Sequence, residues 1–167
     1  MKTFAIKDRS LICILFLSIL TLISCTTEDI SENMPTKDSD GDVVASLQSD
    51  IVSLLNAHRE EVGLEPLKVL DVAYLKAEEH TNYMISVGKV NHDFFFQREA
   101  YLVDNAGAAE VAENVAYAYS TAEGVVNAWL KSESHRINIE GDYTHMTVCA
   151  MKNKDGKVYY TNIFVKI

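Results

Sequence analysis

Residues 144–167 read THMTVCAMK, then NKDG, then KVYYTNIFVKI, and this stretch decides the fold class. Thr144 to Lys152 and Lys157 to Ile167 are rich in β-branched and aromatic residues, which suit a pleated, half-buried surface. Asn153-Lys154-Asp155-Gly156 between them carries the Asp-Gly signal of a hairpin turn. Two antiparallel strands need a covering layer, and the chain upstream supplies helices. Ser120 to Ser132 reads as a helix, with Ser120 and Glu123 spaced as a capping box. Ala112 to Tyr119 reads as a further strand, and Ser134 to Asp142 as a loop.

Further back, Ala73, Ala77, His80, Met84 and Val87 form one stripe of a helix over 72–87. Asp71 stands at its N-cap and Gly88 just past its end. Val44, Leu47, Ile51, Leu54, Leu55 and Val62 fall at helical spacings, between Asp42 as a cap and Gly63 as a stop. A short helical piece is expected near Gln97 to Val103. Helices, a strand, a helix and a terminal hairpin predict an α+β domain over 43–167: a small antiparallel sheet of about three strands covered by helices.

The N-terminus has an export pattern. Lys2, Lys7 and Arg9 precede Leu11 to Ile23, an apolar run without charge. The run is shorter than the roughly 20 residues that cross a bilayer and fits the core of a signal peptide. Leu22-Ile23-Ser24-Cys25 resembles a bacterial lipobox, which implies a signal peptide over 1–24 and lipid on Cys25. Thr26 to Asp42 is polar and acidic, with no apolar period, and reads with Cys25 as a flexible linker over 25–42.

Lys and Arg total 15 against 24 Asp and Glu, a net charge of −9. That balance repels nucleic-acid phosphates and anionic headgroups, so no nucleic-acid partner is expected. With Cys13 in the signal peptide and Cys25 lipidated, Cys149 has no disulfide partner. Its neighbours Val148, Ala150 and Met151 mark it as a small buried residue.

The residues suited to chemistry lie at element ends. His92 follows the second helix and His135 the third, while Glu113 and Asn114 lie early in the candidate strand. His80, on an apolar stripe, reads as a core histidine. His58 reads as a helix-surface residue, His145 as a strand residue facing cleft or solvent, and Arg136 as a loop-fixing residue. Phe94-Phe95-Phe96 cannot all face one core: the run reads first as local packing of its loop, with a ring lining a groove or a partner surface as the alternative.

Asn56-Ala57-His58-Arg59, Gly63-Leu64-Glu65-Pro66-Leu67, Ala77-Glu78-Glu79-His80, Gly88 to Asp93, Ala112 to Ala116 and Trp129 to Asn138 occur in that order. Together they resemble the CAP superfamily of sperm-coating, antigen-5 and pathogenesis-related proteins, in its bacterial branch. The resemblance implies an α–β–α sandwich with a cleft holding two histidines and two acids. It carries over to His92, Glu113 and His135. The second acid falls on Ser132 instead, and the adjacent Glu133 would point about 100° away on a helix.

The cleft expected is therefore His92, Glu113, His135, Ser132 and Asn114, with His92, His135 and Glu113 of the types that hold zinc. No serine or cysteine stands in an activated context. The expected function is that of a monomeric, lipid-anchored envelope protein with a non-catalytic binding domain. Its ligand would be a small apolar molecule, an envelope component or a protein partner. The alternative is a metal-assisted hydrolase of envelope peptides or glycans using His92, Glu113 and His135.

Overall fold

The structure, a computed structural model, describes residues 39–167. The expected signal peptide, Cys25 and most of the linker lie outside the described residues. Helix α1 spans Ser39–Glu61, beginning before the Asp42 cap expected for it. Leu47, Ile51 and Leu55 recur every fourth residue along it and are all buried. Gly63 adopts φ 82°, which frees the chain to reverse, and Leu64 N–H closes on the Arg59 carbonyl at 2.8 Å.

Strand β1, Lys68–Val69, leads directly into α2, Asp71–Val87. The N-cap of α2 is Leu70, so Asp71 instead places its carboxylate in the first turn. Gly88, at φ 65°, ends the helix as expected. Helix α3 covers Phe95–Ala106, and strand β2 covers Glu110–Tyr117. Helix α4, Ala122–Lys131, is capped by Thr121, not by Ser120, and the Thr121 hydroxyl accepts from Gly124 N–H at 3.0 Å. Thr121→Ala is expected to lower stability by about 1 kcal/mol, read by urea unfolding; no change would refute the cap.

A short helix α5, Glu133–Ile139, replaces the expected loop. Strands β3, His145–Lys152, and β4, Val158–Lys166, form the terminal hairpin. Its turn is held by the Asn153 carboxamide oxygen, which accepts from Asp155 and Lys157 N–H.

The sheet has four strands in the order β1-β3-β4-β2. The hairpin and β2 are antiparallel, and the added strand β1 lies parallel to β3 through two residues only. Alternation along β4 divides the core. Tyr160 and Phe164 face a layer with Ile51, Leu55, Val125 and Trp129 from α1 and α4. Ile163 and Val165 face Ala73, Ala77 and Leu102 from α2 and α3. Helices thus cover both faces, an α–β–α sandwich. Cys149 is buried in the second layer, and burial pushes its thiol pKa up to about 11, so it is no nucleophile at neutral pH.

Candidate functional site

Strand β2 forms one edge of the sheet, and the site is built across it. Glu113 and Asn114 are successive residues, so their side chains leave on opposite faces. Glu113 enters the α2–α3 side and Asn114 the α5 side. The Asn114 carboxamide donates to the His135 carbonyl at 3.0 Å and accepts from Asn138 at 2.8 Å. Asn138 also donates to the Glu113 carbonyl at 3.3 Å, and Trp129 Nε1–H to the Val115 carbonyl at 3.2 Å. Asn138 and Trp129 thus cap carbonyls of the edge strand that no neighbouring strand takes up.

The Glu113 side chain is only 1% exposed and is surrounded by donors. Arg98 binds it twice, Nε to Oε2 at 2.8 Å and Nη2 to Oε1 at 2.7 Å. His92 Nδ1 lies 2.8 Å from Oε1, and His80 Nε2 lies 3.6 Å from the same oxygen. Burial alone would push the carboxyl pKa up. The hydrogen bonds from His92 and Arg98, with the Arg98 charge, outweigh it and hold the pKa below its ordinary value.

His92 itself is 53% exposed on its side chain, so Glu113 fixes one edge of the ring and leaves the other to the cleft. The loop carrying it is pinned from behind. Asn91 accepts from His80 through its carbonyl at 2.8 Å and from Asp93 N–H through its side chain. Tyr83 donates to the Asp93 carboxylate, and Arg98 Nη1 to the Asp93 carbonyl. Phe94 then takes φ 61° at the start of α3, a strained conformation for a bulky side chain.

His135 stands nearby but is hydrogen-bonded through its ring to neither Glu113 nor His92. Its Nδ1 is buried without a partner. Burial and the neighbouring His92 lower its pKa, which keeps the ring neutral. The Ser132 hydroxyl meets that of Ser134 at 3.2 Å and not His135.

Both Glu113 oxygens face a guanidinium that cannot be deprotonated, so this carboxylate does not fit a divalent cation as well. Among the described residues no three His, Cys, Asp or Glu side chains gather as a metal-holding group. The carboxylate is likewise unsuited to general-base work near neutrality, because its pKa moves away from that range.

The remaining histidines take structural positions. His80 is buried as expected, and His58 meets Glu140 at 2.9 Å in a half-buried contact. His145 pairs with Thr144 at the start of β3. Arg136 lies 3.9 Å from Glu140, the contact with a glutamate that its loop-fixing reading allows, and it is half-exposed. Arg59 fixes the same region more firmly, buried and donating to the carbonyls of Glu65, Ile139 and Gly141. Arg98 is the site residue that sequence reasoning missed. Its signal was spacing: Arg98 and Leu102, four apart, are the two buried residues of α3.

The CAP family, described as the cysteine-rich secretory protein family, matches residues 52–165, and so spans all of these groups. The chain belongs to the CAP family. The uncharacterized protein YkwD of Bacillus subtilis is 30% identical over 126 residues, covering 71% of this chain and 48% of YkwD. The uncharacterized membrane protein YlbC of the same organism is 32% identical over 126 residues, with 34% of its length covered. The chain therefore matches half or less of the length of these CAP relatives.

Solved structures share the CAP fold. An extracellular SCP-domain protein from Bacillus anthracis superposes with TM-score 0.67 at 24% identity, over 79% of this chain and 44% of that one. An outer surface protein from Borrelia burgdorferi gives TM-score 0.63 at 22% identity, over 71% of this chain and 92% of that one.

Proposed function

We propose that this chain is an extracytoplasmic, lipid-anchored CAP protein of a bacterial envelope whose domain binds a small apolar ligand and does not catalyse. The observation that carries the reading is a groove of about 480 Å³ beside the His92–Glu113 pair. Phe95, Phe96, Val111 and Ala112 make it apolar, and Phe96 is 78% exposed. A large ring held in water beside a concave apolar wall favours a ligand that covers it. The locked carboxylate argues against hydrolysis through Glu113, and Cys149, the one described cysteine, lies buried in the core.

The neutral probe Nile red tests this. It should bind the purified protein at one site, and Phe96→Ala should weaken it by about ten-fold without loss of stability, since the ring is exposed. Hydrolysis of a peptide or ester library that His135→Ala abolishes would overturn the reading.

Export and anchoring rest on the Ser24-Cys25 lipobox and on the extracellular and outer-surface relatives. Lipid on Cys25 would supply the attachment; among the described residues no helix is long and apolar enough to cross a membrane. Cys25→Ser should leave the protein unprocessed or free of membranes; a processed variant still sedimenting with membranes would refute the anchor.

A further inference from the structure

We propose a second small-molecule site, between α2 and α3, that takes a neutral planar aromatic carrying an N–H donor. The pocket has a volume of about 280 Å³, near the lower end for ligand cavities. Lys76, Glu79, His80 and Tyr83 present one face of α2 to it at steps of three, one and three. Phe94, Gln97 and Arg98 close it from the start of α3. It shares no lining residue with the groove beside His92, yet the two abut one ion pair: Arg98 lines this pocket and Glu113 lines the groove.

Three observations set the ligand chemistry. The first is an acceptor without a donor. His80 is 2% exposed, and its Nε2 lies 2.8 Å from the Asn91 carbonyl. A carbonyl only accepts, so Nε2 carries the proton and Nδ1 presents a lone pair. That Nδ1 is buried and unpartnered. Burial lowers the pKa of the ring and keeps it neutral, although Glu113 pulls the other way. His80 lines the pocket, so a small turn of its ring would offer Nδ1 to a donor brought in there.

The second observation is the wall. Tyr83 and Phe94 meet edge-to-face at 5.2 Å, and the His80 and Tyr83 rings stack at 6.1 Å. Such faces receive a flat ring better than a branched chain. The positive φ of Phe94, a residue 57% exposed, holds that ring at the pocket and not in the core.

The third is electroneutrality. Lys76 and Glu79 are paired at 2.7 Å, and Arg98 is engaged by Glu113. No charge in the lining lacks its counter-charge, which disfavours an ionic ligand. The Gln97 carboxamide at the mouth can turn toward a polar edge of the ligand.

Indole titrated into the full chain tests this, with histidine ring nitrogens followed by ¹⁵N NMR. One saturable site is expected, with the His80 Nδ1 resonance moving as it accepts a hydrogen bond. Benzofuran, of the same shape without the N–H, should bind about ten-fold more weakly. Gln97→Trp, placed on the exposed start of α3, should fill the mouth and abolish indole binding while Nile red still binds the groove. An unmoved Nδ1 resonance at saturation, equal affinity for benzofuran, or undiminished binding to Gln97→Trp would each overturn the proposal.

Discussion

Arg98→Met is expected to remove about 3–5 kcal/mol of stability, the cost of leaving a buried charge without its partner. The substitution keeps much of the side-chain volume and deletes the three hydrogen bonds that Arg98 donates to Glu113 and to the Asp93 carbonyl. Glu113 then keeps only His92 at 2.8 Å, with His80 at 3.6 Å. Glu113→Gln strands the guanidinium instead and is also expected to destabilise. The double variant Arg98→Met/Glu113→Leu buries no charge and should lie close to wild type.

The pH dependence follows from the direction of the Glu113 shift. Its folded pKa is below the unfolded value of about 4.3, so its contribution is full above that value and is lost as pH falls through the folded pKa. In Arg98→Met the guanidinium no longer opposes burial, and the carboxyl pKa rises. The gap between wild type and variant is therefore widest at neutral pH and narrows on acidification toward about pH 4, as a proton removes the unpaired charge. Urea unfolding across that range checks it. A variant within 1 kcal/mol of wild type at neutral pH would mean that water already screens the pair.

That ion pair marks the limit of what was legible. The hairpin could be read because alternation and an Asp-Gly turn act over a few residues. The stripes of α1 and α2 were legible for the same reason. Helix α5 was not, since Ile139 is its only buried residue and seven residues carry no period. Strand β1 was not, because two residues acquire strand character only by meeting β3. In the site, His92 Nδ1 and Glu113 Oε1 meet at 2.8 Å. Arg98 escaped because an arginine reads as surface until a carboxylate from another element is known to face it. The link between Arg98 and Glu113 spans 15 residues and depends on how α3 packs on β2. His135 shows the converse: its position was legible, but the absence of a ring hydrogen bond to His92 or Glu113 was not.

Trp129→Ala is expected to cost about 3–5 kcal/mol, a large part of the roughly 5–15 kcal/mol that holds a domain together. Trp129 is among the largest fully buried side chains, packed edge-to-face on Tyr160 between α4 and the sheet. Its removal opens a cavity that Val125, Ile51 and Leu55, already close-packed, cannot collapse to fill. Trp129→Phe separates the two roles of the residue. It keeps most of the apolar bulk but leaves the Val115 carbonyl without its donor, for a cost of about 1–3 kcal/mol unless water replaces the indole. Unfolding must be followed by circular dichroism, because Trp129 is the only tryptophan and both variants lack tryptophan emission. If Trp129→Ala stays within 1 kcal/mol of wild type, the core can relax and the packing argument fails. If it falls as expected, the effect reaches the site, for Val115 is two residues along β2 from Glu113. A strand loosened at Val115 relaxes the register that sets Glu113 between His92 and Arg98. Trp129→Ala should then weaken Nile red binding even where the protein remains folded, and Trp129→Phe, which loses the same bond to Val115 but keeps the bulk, should weaken it less.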